Sequence, residues 1–199
     1  MDVHQELRKF LPTTLGVSDR DLSLFLSSLT FRHLSKGDHF LNAGETNPIK
    51  GLVTRGCLRV YFTEADGTER VLYFAPEGWC LTNIGNAIGE WPAVLRVDAL
   101  EPTDVLVIDR ERLGTAYEPA CDRIWRALAE SALLTFQERL VGGLRKTAAQ
   151  RYLDFRRLYP GLDSRIAQYH VAGYLGVSPE FLSKLRKRLI RDEYRLAPS

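Results

Sequence analysis

The sequence predicts an α+β fold: an N-terminal antiparallel β roll (a double-stranded β-helix) with flanking helices, one long helix, and a C-terminal all-α domain built on a helix-turn-helix. Three observations predict it. Residues 31–109 alternate short apolar runs with turns rich in Gly, Pro, Asn and Asp. Residues 122–144 hold no proline and repeat an apolar residue at every fourth position. Residues 168–187 meet each steric demand of two helices crossing at a tight turn.

Composition narrows the class before any element is placed. The 199 residues are 45% apolar and 26% charged, enough to bury a core and ordinary for a globular protein. No run of about 18 apolar residues exists to span a bilayer. The first residues, MDVHQELRKF, lack the basic-then-apolar layout of a secretory signal. Cys57, Cys80 and Cys121 are an odd number with no C-x-x-C pair. That argues against a disulfide scaffold or a thiolate zinc site and for a reducing compartment. The expectation is a cytoplasmic protein with no membrane partner.

The elements follow in order. Residues 2–30 read as helical, with Ser18 and Asp21 placed as a capping box ahead of Leu22, Phe25, Leu26 and Leu29. The runs HFLN, IKGLVTRG, CLRVYF, ERVLYF, VLRVDAL and DVLVID read as strands, and Asp66-Gly67 as a hairpin turn between two of them. In the long helix Ile124, Leu128, Ala132, Phe136 and Leu140 form a stripe that Trp125, Leu133 and Val141 widen. A stripe so broad fits a helix packed on the roll and on a copy of itself, hence a homodimer; the alternative is a helix buried wholly within one subunit. Gly142-Gly143 reads as a hinge before the last third of the chain.

Charge is distributed unevenly. Residues 1–138 carry 14 Lys/Arg against 20 Asp/Glu, a balance of −6, whereas residues 139–199 carry 13 against 5, a balance of +8. The end of the chain is therefore suited to a polyanion, or else is a well-solvated helical surface.

The segment QYHVAGYLGVSPEFLSKLRK decides between these. Val171, Ala172 and Leu175 share one face of a short helix, Gly176 can adopt the left-handed turn, and Ser178-Pro179 is an N-cap followed by proline at the first helical position. Leu182, Leu185 and Leu189 then face inward. Glu180, Ser183, Lys184, Lys187 and Arg188 face outward, a basic face that a bland helical hairpin leaves unexplained. In a major groove Glu180 would accept from a cytosine amino group, Lys184 would donate to guanine, and Ser183 could bond either. Ser178 and the helix N-terminus suit a phosphate, with Pro179 opening the turn that faces it. Gln168, Tyr169, Lys187 and Arg188 suit contacts to the phosphate backbone. Glu180 also has a plain explanation, since an acid in a first helical turn complements the macrodipole.

A strand-rich domain, then a long helix, then YLGVSPEFLSKLRKRL resembles the CRP/FNR-type transcription factors. The run ERLVGGLRKTAAQRYLDFRRLYPGL resembles the link between dimer helix and DNA-binding helices in that family. The resemblance implies a cyclic-nucleotide-binding-like effector domain over residues 1–118, a dimerisation helix over 119–143 and a helix-turn-helix DNA-binding domain over 144–199. It implies a homodimer bound to double-stranded DNA, with RNA polymerase and an unidentified small-molecule effector as further candidate partners.

Two departures set this chain apart. Nucleotide binders of the family carry G-E-L and, some ten residues on, R-[ST]-A; the glutamate holds the ribose and the arginine pairs with the cyclic phosphate. Here Asn83 stands where the glutamate would be and Ala93 where the arginine would be, with Arg96 three residues on. A buried phosphate without its counter-charge is penalised by about several kcal/mol, so cAMP is not expected as a cofactor. Thr82, Asn83 and Asn86 beside Trp79, Trp91 and Arg96 would line a pocket for a different small molecule, or a vestigial one. Only RDEYRLAPS follows Ile190, too little for the β-hairpin wing common in the family.

Other function classes fare worse. The four histidines, His4, His33, His39 and His170, include no H-x-H pair; His33 and His39 fall in neighbouring strands and could meet, but lack a set of carboxylates. No G-x-S-x-G, P-loop or Cys–His arrangement is present, and the cysteines are too scattered for an iron–sulfur cluster. No catalytic or metal-ligating residue is assigned. The competing reading is a ligand-sensing interaction module whose helical tail binds a protein partner rather than DNA.

Overall fold

The computed structural model describes residues 17–46, 50–82, 92–108 and 119–196. The chain divides into two compact units, one of residues up to Tyr61 with Tyr73–Arg139, the other of Phe62–Leu72 with residues from Leu140 onward.

The first helix, α1 (Asp19–Ser27), starts where its cap predicts. The Asp21 amide donates to the Ser18 hydroxyl at 3.2 Å and the Ser18 amide donates back to the Asp21 carboxylate at 3.0 Å. Helix does not extend to residue 30, because β1 (Leu29–Leu34) already begins there, pairing Leu29 with Ile108 of the strand Thr103–Ile108. Ladder hydrogen bonds to a partner far along the chain override the local helical pattern. Residues 2–16 of that expectation lie outside the described residues.

Among the described residues eight strands follow: β1, β2 (His39–Leu41), β3 (Lys50–Arg55), β4 (Leu58–Thr63), β5 (Glu69–Ala75), β6 (Cys80–Thr82), β7 (Arg96–Ala99) and β8 (Thr103–Ile108). They form two four-stranded sheets, ordered β1-β8-β3-β6 and β2-β7-β4-β5, with β1–β8, β2–β7, β3–β6, β3–β8 and β4–β7 all antiparallel. Leu52, Val53, Leu58, Val60, Phe74 and Val105 fill the interior with 1% exposure or less. The Asp66-Gly67 turn forms as the sequence requires, with Gly67 at φ +86° and the Thr68 amide donating to the Asp66 carboxylate at 2.8 Å.

Helix α2 (Pro119–Arg145) is a single element of 27 residues. Helix continues through Gly142 and Gly143, so the expected break at that pair is corrected. The break falls after Arg145, where Thr147 caps the next helix, its hydroxyl taking the Gln150 amide. Uninterrupted i→i−4 bonding tolerates two glycines at a cost of about 1 kcal/mol each. The apolar stripe on α2 splits along its length. Ile124, Trp125 and Leu128 are buried against Leu22, Phe25, Leu29, Leu52, Cys80 and Leu106 in one core cluster. Leu133, Leu134, Leu140, Val141 and Leu144 are instead 50% exposed or more.

Helices α3 (Ala148–Leu158), α4 (Leu162–Arg165), α5 (Gln168–Leu175) and α6 (Pro179–Leu196) complete the chain. Among the described residues of these helices, Tyr152, Phe155, Tyr159, Leu162, Ile166, Val171, Ala172, Leu175, Leu182 and Leu185 are the buried apolar ones. Among the described residues no helix is long and apolar enough to cross a membrane.

Candidate nucleic-acid interface

The turn between α5 and α6 is set by its own chemistry. Gly176 sits at φ +67°, ψ +37°, and its amide and that of Val177 both donate to the Ala172 carbonyl. A side chain at that φ is strained, which is why glycine suits the position. The Arg151 guanidinium donates to the Leu175 carbonyl at 3.1 Å, satisfying one of the orphan acceptors at the end of α5. Two residues past the glycine, the Ser178 hydroxyl accepts the Phe181 amide at 3.2 Å and starts α6. Ala172 is 1% exposed and Leu182 fully buried, so α5 and α6 meet without a gap.

The outward face follows the helical period. Ser178, Pro179, Glu180, Lys184, Lys187 and Arg188 are exposed and Ser183 is half-buried, while Gln168 and Tyr169 are exposed at the start of α5. Tyr169 packs its ring on His170, 3.8 Å between centroids, and His170 is buried. The Glu180 carboxyl is held below its ordinary range, first by its own backbone amide, then by Ser178 and by the charge of Lys184. It is therefore an ionised acceptor at neutral pH. Arg186 differs from its neighbours: it is partly buried and lies 3.8 Å from Asp163, which also takes the Tyr152 hydroxyl at 3.0 Å. Burial, chiefly, pushes the Tyr152 hydroxyl upward in pKa. Arg186 therefore ties α6 to α4 rather than adding to the free cations.

One residue of this face escaped the sequence reading. Phe181 is 49% exposed, although it adjoins Leu182 in sequence. It lies three positions before Lys184, and that spacing is the signal that places it on the outer side.

The expected effector pocket falls partly outside the described residues. Asn83, Asn86 and Trp91 lie outside the described residues, as does the side chain of Thr82, whose backbone ends β6 opposite Lys50. Trp79 stacks on Tyr73 at 6.4 Å, and Tyr73 meets Phe136 of α2 edge-on at 4.9 Å. Arg96 is exposed at the first position of β7, near exposed Val94. Ala93 is buried and held by backbone bonds to the Gly44–Glu45 turn. Among the described residues the buried cation of the roll is Arg59 on β4, and its two bonds to Asp98 neutralise it.

The histidine pair is also corrected. His33 and His39 are close in sequence but sit in different sheets, His33 against Asp104 at 2.6 Å and His39 in register with Asp98. Among the described residues no group of three His, Cys, Asp or Glu could hold a metal. Cys57 and Cys80 are buried thiols outside any disulfide, and burial pushes Cys80 up to about 11, leaving it inert.

No family model matches the chain, and neither does any curated protein. Solved structures do. The c-di-GMP responsive global regulator CLP of Xanthomonas campestris aligns with a TM-score of 0.69 at 17% identity, over 88% of this chain and 93% of that one. FixK2 from Bradyrhizobium japonicum aligns at 0.67 and 20% identity, over 83% and 86%. A protein described as a CRP/FNR-family transcriptional regulator from Eubacterium rectale aligns at 0.64 and 16% identity, over 92% and 88%. Two antiparallel sheets, a long helix and a capped helix-turn-helix, matched over most of their length by these structures, give this chain the CRP/FNR-type regulator fold.

Proposed function

We propose that the protein is a homodimeric, sequence-specific DNA-binding transcriptional regulator of the CRP/FNR type, with a degenerate cyclic-nucleotide pocket that senses another small molecule or none. The observation that carries this reading is the α5–α6 pair: a left-handed glycine turn, a capped α6, and an exposed face holding Lys184, Lys187 and Arg188. Entering a major groove N-terminus first, α6 would offer Glu180, Ser183 and Lys184 to base edges. Gln168, Tyr169, Lys187 and Arg188 would hold the phosphates. Ser178 already caps α6 through the Phe181 amide and bonds the Glu180 carboxyl, so it would meet a phosphate only together with the helix N-terminus.

The exposed leucines of α2 support the dimer. Leu133 and Leu140 are one heptad apart and Leu140 and Leu144 one helical turn apart, a spacing that suits a second copy of the same helix. Ala93 in place of an arginine, and Arg59 already neutralised by Asp98, support a roll that does not hold a cyclic phosphate in the usual way.

The test is selection from a random duplex library without added ligand. Enrichment of a palindrome with half-sites about 34 Å apart is the expected result. Binding should then weaken log-linearly with salt. A library that enriches nothing, with or without cell metabolites, overturns the proposal in favour of a protein-binding tail.

A further inference from the structure

The function proposed above leaves Phe181 without a role. It is a large apolar side chain, 49% exposed, on an α6 surface whose other exposed residues in the first three turns are Pro179, Glu180, Lys184, Lys187 and Arg188. Its backbone is fixed, because the amide donates to the Ser178 cap and the flanking Leu182 is fully buried. The ring therefore projects from the first turn of the helix, and Cα–Cβ bonds there tilt toward the helix N-terminus. Resting on the reading of α6 as the recognition helix, we propose that Phe181 reads a thymine, its ring packing on the 5-methyl group in the major groove.

Size and charge choose the occupant. A protein-docking surface needs a contiguous apolar patch of a few hundred Å², on the order of several side chains. Phe181 is one ring bordered by Lys184 and Arg188, three and seven positions on, and residues 139–199 carry 13 Lys/Arg against 5 Asp/Glu. Cations around a single ring favour a polyanion that presents an apolar group at the same depth. In duplex DNA the thymine methyl is that group, and apolar side chains contact it in major-groove readout. The sequence preference would then come from Glu180, Lys184 and Phe181 together, two polar readers and one apolar reader within five residues.

The test uses the full-length protein and the duplex enriched by selection, with each thymine replaced in turn by deoxyuridine, which removes only the methyl. The expected result is a loss of about fourfold at one symmetric position per half-site, the value of one buried methyl. In Phe181→Ala that difference should vanish, thymine and uracil binding equally there, while the other positions respond as in the wild type. Because Phe181 is exposed, the variant should keep its fold, which circular dichroism checks. Specific binding with no uracil-sensitive position, or with sensitivity that survives in Phe181→Ala, overturns the role of Phe181 and leaves DNA recognition standing. A library that enriches no sequence overturns both.

Discussion

Arg59 and Asp98 face each other across β4 and β7 and join through two hydrogen bonds, Nε to Oδ1 at 2.6 Å and Nη2 to Oδ2 at 2.8 Å. The side chains are 8% and 10% exposed, and the guanidinium also lies 4.0 Å from the centre of the Tyr61 ring. Leu58, Arg59, Val60 and Tyr61 are all buried, so β4 is covered on both faces and a charge placed there has to be paired. Asp98→Ala strips the guanidinium of its bidentate partner and should destabilise the roll by about 3–5 kcal/mol. Urea unfolding checks this; replacing both residues together with apolar ones should recover much of the loss.

Gly176 predicts a second outcome. An alanine would meet no neighbour within 4 Å, but φ +67° strains any side chain. Gly176→Ala should lower the stability of the C-terminal unit by about 1–2 kcal/mol, with Gly176→Asn milder, read by hydrogen exchange of the α5 and α6 amides. The cause would be backbone strain alone, since packing is untouched.

Glu180 gives the region a pH dependence of known sign. Its carboxyl is held below the ordinary value of 4.5, so the folded state prefers the ionised form. The contribution is full above pH 4.5 and is lost as pH falls through the lowered folded value. Glu180→Gln should therefore be the less stable protein at neutral pH, and the gap to wild type should close in acid. Urea midpoints measured from neutral pH down to about 3 follow that convergence.

The split stripe of α2 separates stability from assembly. Leu128 is 4% exposed in the core of the chain, and Leu128→Ala should cost about 2–5 kcal/mol. Leu144 is 82% exposed. Leu140→Glu with Leu144→Glu should leave the fold of a single chain intact and yield monomers in sedimentation velocity, with loss of binding to a palindromic site. A double variant that stays dimeric would sink the assignment of this surface.

Much of this molecule is legible in one dimension. The Ser18–Asp21 capping box, the Asp66-Gly67 hairpin and the sequence from Val171 to Leu185 read correctly because each depends on bonds within a few residues, and those demands leave few residue types open. The inward and outward faces of α6 follow from period alone. Phe181 is the exception, an exposed apolar residue that the sequence reading assigned to neither face.

What only tertiary structure decided is partnering across distance. The sequence could not say that Leu29 leaves α1 to pair with Ile108, that His33 and His39 part into separate sheets, or that Arg59 meets Asp98. Nor could it divide the α2 stripe into a buried half and an exposed half, since Ile124 and Leu140 present the same apolar character to a periodicity count. Local hydrogen bonds and helical period are properties of short segments, and the sequence determines them. Sheet order, charge pairing and which half of a helix meets a core are settled by what the rest of the chain brings alongside.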